Sequence, residues 1–562
     1  MSNSQEAQKP QVSKVEKIKE SSRGLRGTLS EELENGAPNF EADSLQLLKF
    51  HGIYQQDDRD ARSRSGEGME KAYSMMIRGR IPGGRMNADQ YLKFDELADL
   101  YGNGGLRLTT RQSIQYHGVL KSSMKELIKG IHDSMLSTIC ACGDVVRNVT
   151  QAPNPLGDPE LALLDEPANL ISDHFAARSN AYVEIWLDGE RVDPQTEAED
   201  PIYGTNYLPR KFKVAITRAG DNSIDLFTND LALAATFEKG SISGYHYYVG
   251  GGLGKNHRNA KTYPRLASYL GWAPADQMIK VCESVVAVQK EYGDRKDRKH
   301  ARLKYLLEDR GLAWFRNEVE SRLGSSLDQQ SEPSWQFVDY LGWHTAANGS
   351  LSFGLHILSG RIIDGKNQPL KSAIREAVEK YSPSVQITPD QDLVFMGLPA
   401  EAKEGFEAIF QSKGLSISPK GSVYSRALAC PALPTCGLAL AEAERFLPDL
   451  LADIQGSLDK HGLTDRPPVV RMTGCPNGCA RPYSAELAFV GRSAGIYAVY
   501  VGGNPEGTRL VQEISDTVAV DRLPSLVDEM FILWKKDGKE GETFGDFSHR
   551  LGLQPFQALL AD

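Results

Sequence analysis

Four of the seven cysteines stand in two close pairs, Cys430-Pro-Ala-Leu-Pro-Thr-Cys436 and Cys475-Pro-Asn-Gly-Cys479. Four thiolates can hold a tetrahedral zinc ion or an iron–sulfur cluster. Zinc knuckles favour C-x2-C spacing, whereas these pairs are C-x5-C and C-x3-C, so the spacing favours a cluster and leaves zinc or unligated thiols as alternatives. Pro431, Pro434, Pro476 and Gly478 tighten the loops so that backbone amides can face the sulfurs, which tunes a cluster's potential. An odd, low cysteine count points to a reducing compartment and metal or redox chemistry rather than a disulfide framework.

A second group lies upstream. From Leu106 to Gly118 the residues alternate, with Arg107, Thr109, Arg111, Ser113, Gln115 and His117 on one side and Leu108, Thr110, Gln112, Ile114 and Tyr116 on the other. Period-two alternation predicts one strand with a face rich in cations and donors. That face suits a large anionic ligand; the plainer alternative is a solvated outer face. From about Tyr73 another strand is expected, with Gly83-Gly84 as its turn and Arg78 and Arg80 sharing a face.

These elements recur. Thr109, Gln112 and Gly118 fall in register with Thr388, Gln391 and Gly397, while Gln386 and Asp390 replace Arg107 and Arg111. The second copy is a structural counterpart without the anion-binding face. Tyr247-Tyr-Val-Gly-Gly-Gly252 is echoed by Val499-Tyr-Val-Gly-Gly503, so duplication covers most of the chain. The run Gly250 to Lys255 resembles a phosphate loop, but the first Gly falls one residue short and Asn256 replaces the Ser or Thr that holds Mg²⁺, which excludes a nucleotide triphosphatase.

The 562 residues are 40% hydrophobic and 25% charged, ordinary values for a globular protein of several domains. A net charge of -10 disfavours general nucleic-acid binding. No apolar run reaches the ~18–20 residues of a membrane span, and the first 26 residues are polar with no apolar signal core, so a cytoplasmic location is expected.

The whole motif set resembles the siroheme and 4Fe-4S sulfite/nitrite reductase family, assimilatory sulfite reductase haemoproteins in particular, from about Val12 to Gln557. The resemblance rests on Phe50-His-Gly-Ile-Tyr-Gln-Gln-Asp-Asp-Arg59, Leu106 to Gln112, Arg147-Asn-Val149, Leu208-Pro-Arg-Lys-Phe-Lys213, Val249 to Gly252 and the cysteine pairs. It implies a 4Fe-4S cluster on Cys430, Cys436, Cys475 and Cys479, with Cys479 also the axial ligand of the siroheme iron. It implies Arg78, Arg147, Lys211 and Lys213 around the sulfite, and Arg302 and Lys304 as further donors to the carboxylate-rich siroheme beside Arg107, Thr109, Arg111, Gln115 and His117. In one branch of the family a cysteine at the position of Cys142 is cross-linked to a tyrosine, for which Tyr54 is the counterpart.

Sulfite reduction to sulfide takes six electrons and consumes protons. Lys211 and Lys213, two apart in a strand-like run from Leu208 to Ile216, would point one way with Phe212 behind. Arginine stays protonated and forks onto oxyanions, so Arg78 and Arg147 suit binding; lysine can be tuned by burial, so Lys211 and Lys213 suit proton delivery. Cys282 reads as core packing.

The expected fold is α+β with a pseudo-twofold duplication: ferredoxin-like lobes plus larger mixed α/β lobes, cofactors at their junction. The division is an N-terminal arm (1–72), the first ferredoxin-like lobe (73–140), the first larger domain (141–335), the second ferredoxin-like lobe (336–415) and a cysteine-bearing domain (416–562). The expected activity is sulfite reduction in sulfur assimilation, with nitrite reduction to ammonia as the alternative. No Gly-rich dinucleotide turn is present, so electrons come from a separate donor, a ferredoxin or an NADPH-using flavoprotein subunit. From another class, a zinc-stabilised structural or RNA-binding protein would use the same thiols and the basic run 295–304.

Overall fold

The computed structural model describes residues 12–64, 71–179, 185–187, 190–192, 199–365, 368–417 and 422–561. Four five-stranded sheets dominate them, arranged as two pairs.

The two smaller sheets are ferredoxin-like. The first runs Ile53–Asp57, Tyr73–Arg78, Ile114–Val119, Leu106–Leu108 and Arg361–Ile362; the second runs Gly342–Thr345, Leu351–Leu355, Leu393–Leu398, Ser384–Ile387 and Arg85–Met86. Each therefore takes its last strand from the other half of the chain: Arg361 pairs with Arg107, and Arg85 with Gln386. The exchange is locked reciprocally, since Gln112 Nε2 donates to Ile387 O at 2.8 Å and Gln391 Nε2 donates to Leu108 O at 3.3 Å. Gln112 and Gln391 both have positive φ, at 51° and 70°. Gly84 and Gly360 share φ 69°, and a Cβ would come 2.5 Å from Ile387 O on Gly84 and 2.7 Å from Leu108 O on Gly360, so glycine is required at both.

Helices cover these sheets for recognisable reasons. Ala88–Tyr101 starts at a capping box, Asn87 Oδ1 accepting from Gln90 N at 2.8 Å and Gln90 Oε1 from Asn87 N at 3.0 Å. Met124–Asp133 buries Met124, Leu127, Ile128 and Ile131, the spacing of one helical face. Ala88–Tyr101 meets its counterpart Leu370–Tyr381 through Asp95 and Asp99, which pair with Lys371 and Arg375.

The two larger sheets share one topology. Thr150–Gln151, Val214–Arg218 and Leu231–Glu238 are parallel neighbours, continued antiparallel by Ser241–Val249 and Ser268–Pro274. Leu428–Ala429, Val470–Thr473, Leu487–Ser493, Ile496–Val501 and Gln512–Ala519 repeat that order and direction. The internal repeats thus reflect a duplication of both lobes.

The described part of the N-terminal stretch packs onto the fold. Lys14–Glu20 is helical, Lys19 Nζ donates to Leu208 O at 2.8 Å, and Ile53–Asp57 pairs with Tyr73–Arg78. Leu25, Phe40, Leu47 and Phe50 join the first core, which apolar positions between residues 25 and 50 could have signalled. No helix among the described residues is long and apolar enough to cross a membrane.

Candidate cofactor and anion site

Residues directly opposite on neighbouring strands share a face of a sheet. In the first ferredoxin-like sheet, Arg78 lies opposite Gln115, Gln115 opposite Arg107 and Arg107 opposite Arg361, so one row of donors crosses four strands. The Gln115 amide, turned with its oxygen toward Arg78, accepts from Arg78 Nε at 3.1 Å. His117 lies on the same face; its Nδ1 is 3.2 Å from Gln56 Oε1 and its Nε2 is buried without a partner. Arg107 donates to Ala429 O at 2.9 Å and faces Glu444 at 3.3 Å, while Arg361 forks onto Glu444 at 2.7 and 3.1 Å. Burial lowers the Arg107 pKa to about 10 and pushes His117 well below its ordinary value.

The stretch from Leu106 to Gly118 is a hairpin rather than one strand. Thr109 N donates to Ser113 O and Gln112 N to Thr109 O, each at 2.9 Å, so Thr109 and Arg111 sit in the turn. Alternation alone does not reveal it, because both arms keep period two and the positive φ of Gln112 carries no glycine signal. Arg111 is buried in acceptors: Asn229 Oδ1 at 2.6 Å, Asn148 O at 2.5 Å, Val214 O at 2.8 Å and Thr150 Oγ1 at 3.3 Å. Thr109 Oγ1 accepts from Arg111 N at 3.2 Å. Thr110 Oγ1 donates to Cys479 O at 3.2 Å, which joins the turn to the second cysteine pair. Arg80, expected beside Arg78, instead donates to Ser172 O at 2.9 Å and leaves the row.

A cluster of cations borders this face. The strand that was to carry Lys211 and Lys213 begins only at Val214; the lysines flank buried Phe212, which lies in a single bridge with Val146. Arg147 is fixed there by its own N–H on Phe212 O at 2.9 Å and its Nε on Gly143 O at 3.1 Å. Burial works against the Arg147 guanidinium, yet Tyr54, Cys142 and Asp144 outweigh it and raise its pKa. Burial, then Arg147, Arg302, Arg210 and Lys213, hold Lys211 well below the usual lysine value. Lys213 is lowered to about 7 by burial, Arg111 and Arg302, with Asp230 and Cys479 opposing. Lys213 thus sits between the hairpin turn and the cysteine loop.

Arg302 clasps buried Asp230 at 2.9 and 2.8 Å, and Asp230 also accepts from Lys213 N at 2.9 Å. Lys304 Nζ donates to Gly252 O at 3.0 Å and Gly254 O at 2.8 Å, and its pKa falls to about 7 through burial and Arg302. Asp144, not singled out from the sequence, binds Arg298 in a fork at 2.7 and 2.9 Å and lies 3.7 Å from Lys19 and 3.8 Å from Arg210. Its position three residues before Arg147 was the available signal.

The four thiols converge from two loops at the ends of parallel strands. Gly474 N points at Cys430 Sγ at 3.4 Å, Asn477 Nδ2 at Cys475 Sγ at 3.4 Å, and Leu438 and Ala439 N–H groups face Cys436. Burial foremost, then Cys479, raises the Cys430, Cys436 and Cys475 thiols, Cys475 to about 12. Cys479 is the exposed member. Among the described residues no three His, Cys, Asp or Glu side chains are grouped as a single-ion site. Arg59 clamps the first loop through Cys436 O at 3.3 Å and Ala439 O at 2.6 Å.

In the second half the matching row is Gly354, Val394, Gln386 and Arg85, and Asp390 stands where Arg111 stands in the first. Asp390 pairs with Arg481 at 2.5 Å, and Asp225 with Arg471 at 2.6 Å and Arg481 at 3.0 Å. The donor face is one-sided, as the repeat indicated. On that side Arg107 Nε, Arg111 Nε and His117 Nε2 are buried with no partner, a fit for a polyanionic ring.

The pattern of the nitrite and sulphite reductase 4Fe-4S domain matches residues 166–327 and 421–562, and that of the nitrite/sulfite reductase ferredoxin-like half domain matches 67–134 and 344–413. The ferredoxin sulfite reductase of Synechococcus elongatus is 43% identical over 96% of this chain and 90% of its own. The NADPH sulfite reductase hemoprotein beta-component of Staphylococcus carnosus is 41% identical over 96% of this chain and 95% of its own. The NirA protein of Mycobacterium tuberculosis shares the fold, with a TM-score of 0.79 over 97% of this chain and 98% of that chain at 24% identity.

Proposed function

Because the chain belongs to the nitrite and sulphite reductase 4Fe-4S family, we propose that it reduces sulfite to sulfide with electrons from a separate protein donor. Cys430, Cys436, Cys475 and Cys479 would hold the 4Fe-4S cluster, and Cys479, the exposed member, would also hold a siroheme on the donor face. Together, when bound, these groups supply the electron storage and the metal atom at which sulfur is reduced. Arg107, Gln115 and His117 would receive the ring's carboxylates from the sheet, Thr109 and Arg111 from the hairpin turn, Arg302 and Lys304 from the far side, while Arg78 at the end of the same row would face the substrate.

Around the substrate Arg147 binds and orients, because its guanidinium stays charged and is fixed by Gly143 and Phe212. Lys211 and Lys213 hold the oxyanion as cations and release protons at Nζ to the departing oxygens, since burial among cations loosens their protons. The carrying observation is that the donor-bearing hairpin turn meets the second cysteine pair, Thr110 Oγ1 donating to Cys479 O at 3.2 Å while Arg111 and Cys479 both act on Lys213, which would set a proton source beside the cofactors.

Anaerobic turnover of the purified, coloured protein with a reduced viologen dye tests this. Sulfide formed from sulfite faster than ammonia from nitrite supports the reading. A colourless protein with stoichiometric zinc refutes it, and faster ammonia formation moves the substrate to nitrite.

A further inference from the structure

The helix Lys14–Glu20 has no part in the chemistry above, yet it buries two charges against the segments that carry the substrate cations. Glu16 and Lys19, one turn apart, are each no more than 1% exposed and pair at 2.5 Å. Lys19 Nζ also donates to Leu208 O at 2.8 Å and lies 3.7 Å from Asp144 Oδ2. Glu16 pairs in turn with Arg295, which donates to Tyr207 O at 2.8 Å, and Ser13 N donates to Arg295 O at 3.0 Å. Seven residues are too few for a helix to hold by itself, so these contacts and the packing of Ile18 fix it in place.

Lys19 meets two segments where they pair with each other. Leu208 N donates to Asp144 O at 2.9 Å, Phe212 N to Val145 O at 3.0 Å and Arg147 N to Phe212 O at 2.9 Å. These main-chain bonds join the segment that ends at Arg147 to the one that carries Lys211 and Lys213. At the Leu208 end Lys19 holds both partners at once, the carbonyl of Leu208 and the carboxylate of Asp144. At the other end Arg147 closes the pairing itself, through Phe212 O and through its Nε on Gly143 O at 3.1 Å. Stability alone does not account for a lysine here, because burying an ion pair costs about what the pair returns and an apolar pair of the same shape would serve the core as well. What an apolar residue lacks is a donor aimed at one carbonyl and one carboxylate.

We propose that Lys19 is a positioning residue of the substrate site: by pinning the start of both segments it sets Arg147 against Lys211 and Lys213. The inference rests on the function proposed above, which places those three groups around sulfite. Lys19 is itself fully buried and touches no substrate. It acts through Asp144, three residues before Arg147, and through Leu208, three residues before Lys211. Without the pin the two segments can slip at the Leu208 end, and the guanidinium that orients the oxyanion loses its register with the ammonium groups. A misplacement of about 1 Å in such a constellation costs on the order of 100-fold, and a slip restrained at the Arg147 end costs less.

The test is full-length holoenzyme carrying Lys19→Met, Glu16→Gln or both, assayed anaerobically with a viologen dye. Lys19→Met should raise the sulfite KM on the order of ten-fold and lower kcat by no more than about three-fold, with the sulfite dissociation constant read from the visible bands rising in step. Glu16→Gln takes a buried charge from the same helix but leaves Lys19 on Leu208 and Asp144, so it should lower the melting midpoint and leave the sulfite KM at the wild-type value. The double variant removes both members of the pair; it should regain stability over Lys19→Met and keep the raised KM, and it decides the matter where Lys19→Met alone does not fold. A wild-type KM in Lys19→Met, an equal rise in Glu16→Gln, or a KM that recovers with stability in the double variant overturns the proposal. Amide exchange reads the pin without turnover: peptides covering 144–149 and 208–213 should exchange faster in the Lys19 variants while those covering 475–479 keep the wild-type rate, and unchanged exchange in the first two overturns it as well. Wild-type enzyme that forms no sulfide refutes the functional reading separately, and the exchange measurement still decides the pinning.

Discussion

Replacing Asp144 with Asn removes a fully buried charge on which Arg298, Lys19 and Arg210 depend. Burial alone would raise this carboxyl, yet the cations hold it at about 2 against an ordinary 3.8. At 1.36 kcal/mol per unit that difference is worth about 2 kcal/mol of folding stability. Asparagine also leaves the Arg298 fork uncompensated, and losing one member of a buried pair costs about 3–5 kcal/mol. The core containing this site runs from Leu25 to Phe410, so at about 2.1 cal/mol/K per residue the unfolding entropy is roughly 0.8 kcal/mol/K. The expected fall in the first calorimetric transition is therefore about 4–6 °C at pH 7. A carboxylate with a depressed pKa stabilises above its unfolded value and loses that contribution as pH falls through its folded value. The gap between wild type and variant should hold steady from pH 8 to about 5 and narrow between about 4 and 2. A midpoint within 1 °C of wild type, or a gap that persists on acidification, would show that Asp144 does not carry this load.

Three further outcomes are expected. Gly84→Ala, which places a Cβ 2.5 Å from Ile387 O at positive φ, should destabilise by about 3 kcal/mol or more and speed proteolytic cleavage between the halves, read by calorimetry and limited trypsin digestion. Lys213→Met should lower viologen-driven sulfite turnover on the order of 100-fold with cofactor content unchanged, and in the wild type, where Lys213 is lowered to about 7, the rate should fall as pH rises through that value because the protonated lysine is the donor. Cys436→Ser should cost the cluster iron and labile sulfide measured chemically, while a zinc protein would instead lose one bound zinc.

Much of this was legible in the residues because the chemistry is local. The cysteine pairs lie within single loops, and the alternation of Arg107, Gln115 and His117 does place them on one face. The hairpin was hidden because Gln112 supplies a left-handed residue where glycine would have announced a turn. The exchanged strands are two residues each, too short for periodicity, and their partners lie in the other half of the chain. The organising carboxylates were missed for a related reason. Asp144 and Arg298 are 154 positions apart, and Glu444 serves Arg107 and Arg361 from a different lobe, so only the folded chain brings them together.

The exchange of Arg85–Met86 and Arg361–Ile362 means that neither half owns a complete sheet. In two separate identical chains such a swap would have to find its partner by diffusion, whereas a single chain keeps both halves at high effective concentration and in fixed ratio. Fusion also releases the copies from having to match. Identical first halves would oppose Arg111 with a second Arg111 at the position Asp390 now fills, and Arg481 would lose one of its two carboxylates. With the copies free to differ, one has specialised in cations and the other in thiols, and the two specialisations meet where Thr110 touches the Cys479 carbonyl. One asymmetric centre replaces two symmetric ones, at the cost of a second half whose main contribution to the donor face is to hold it in place.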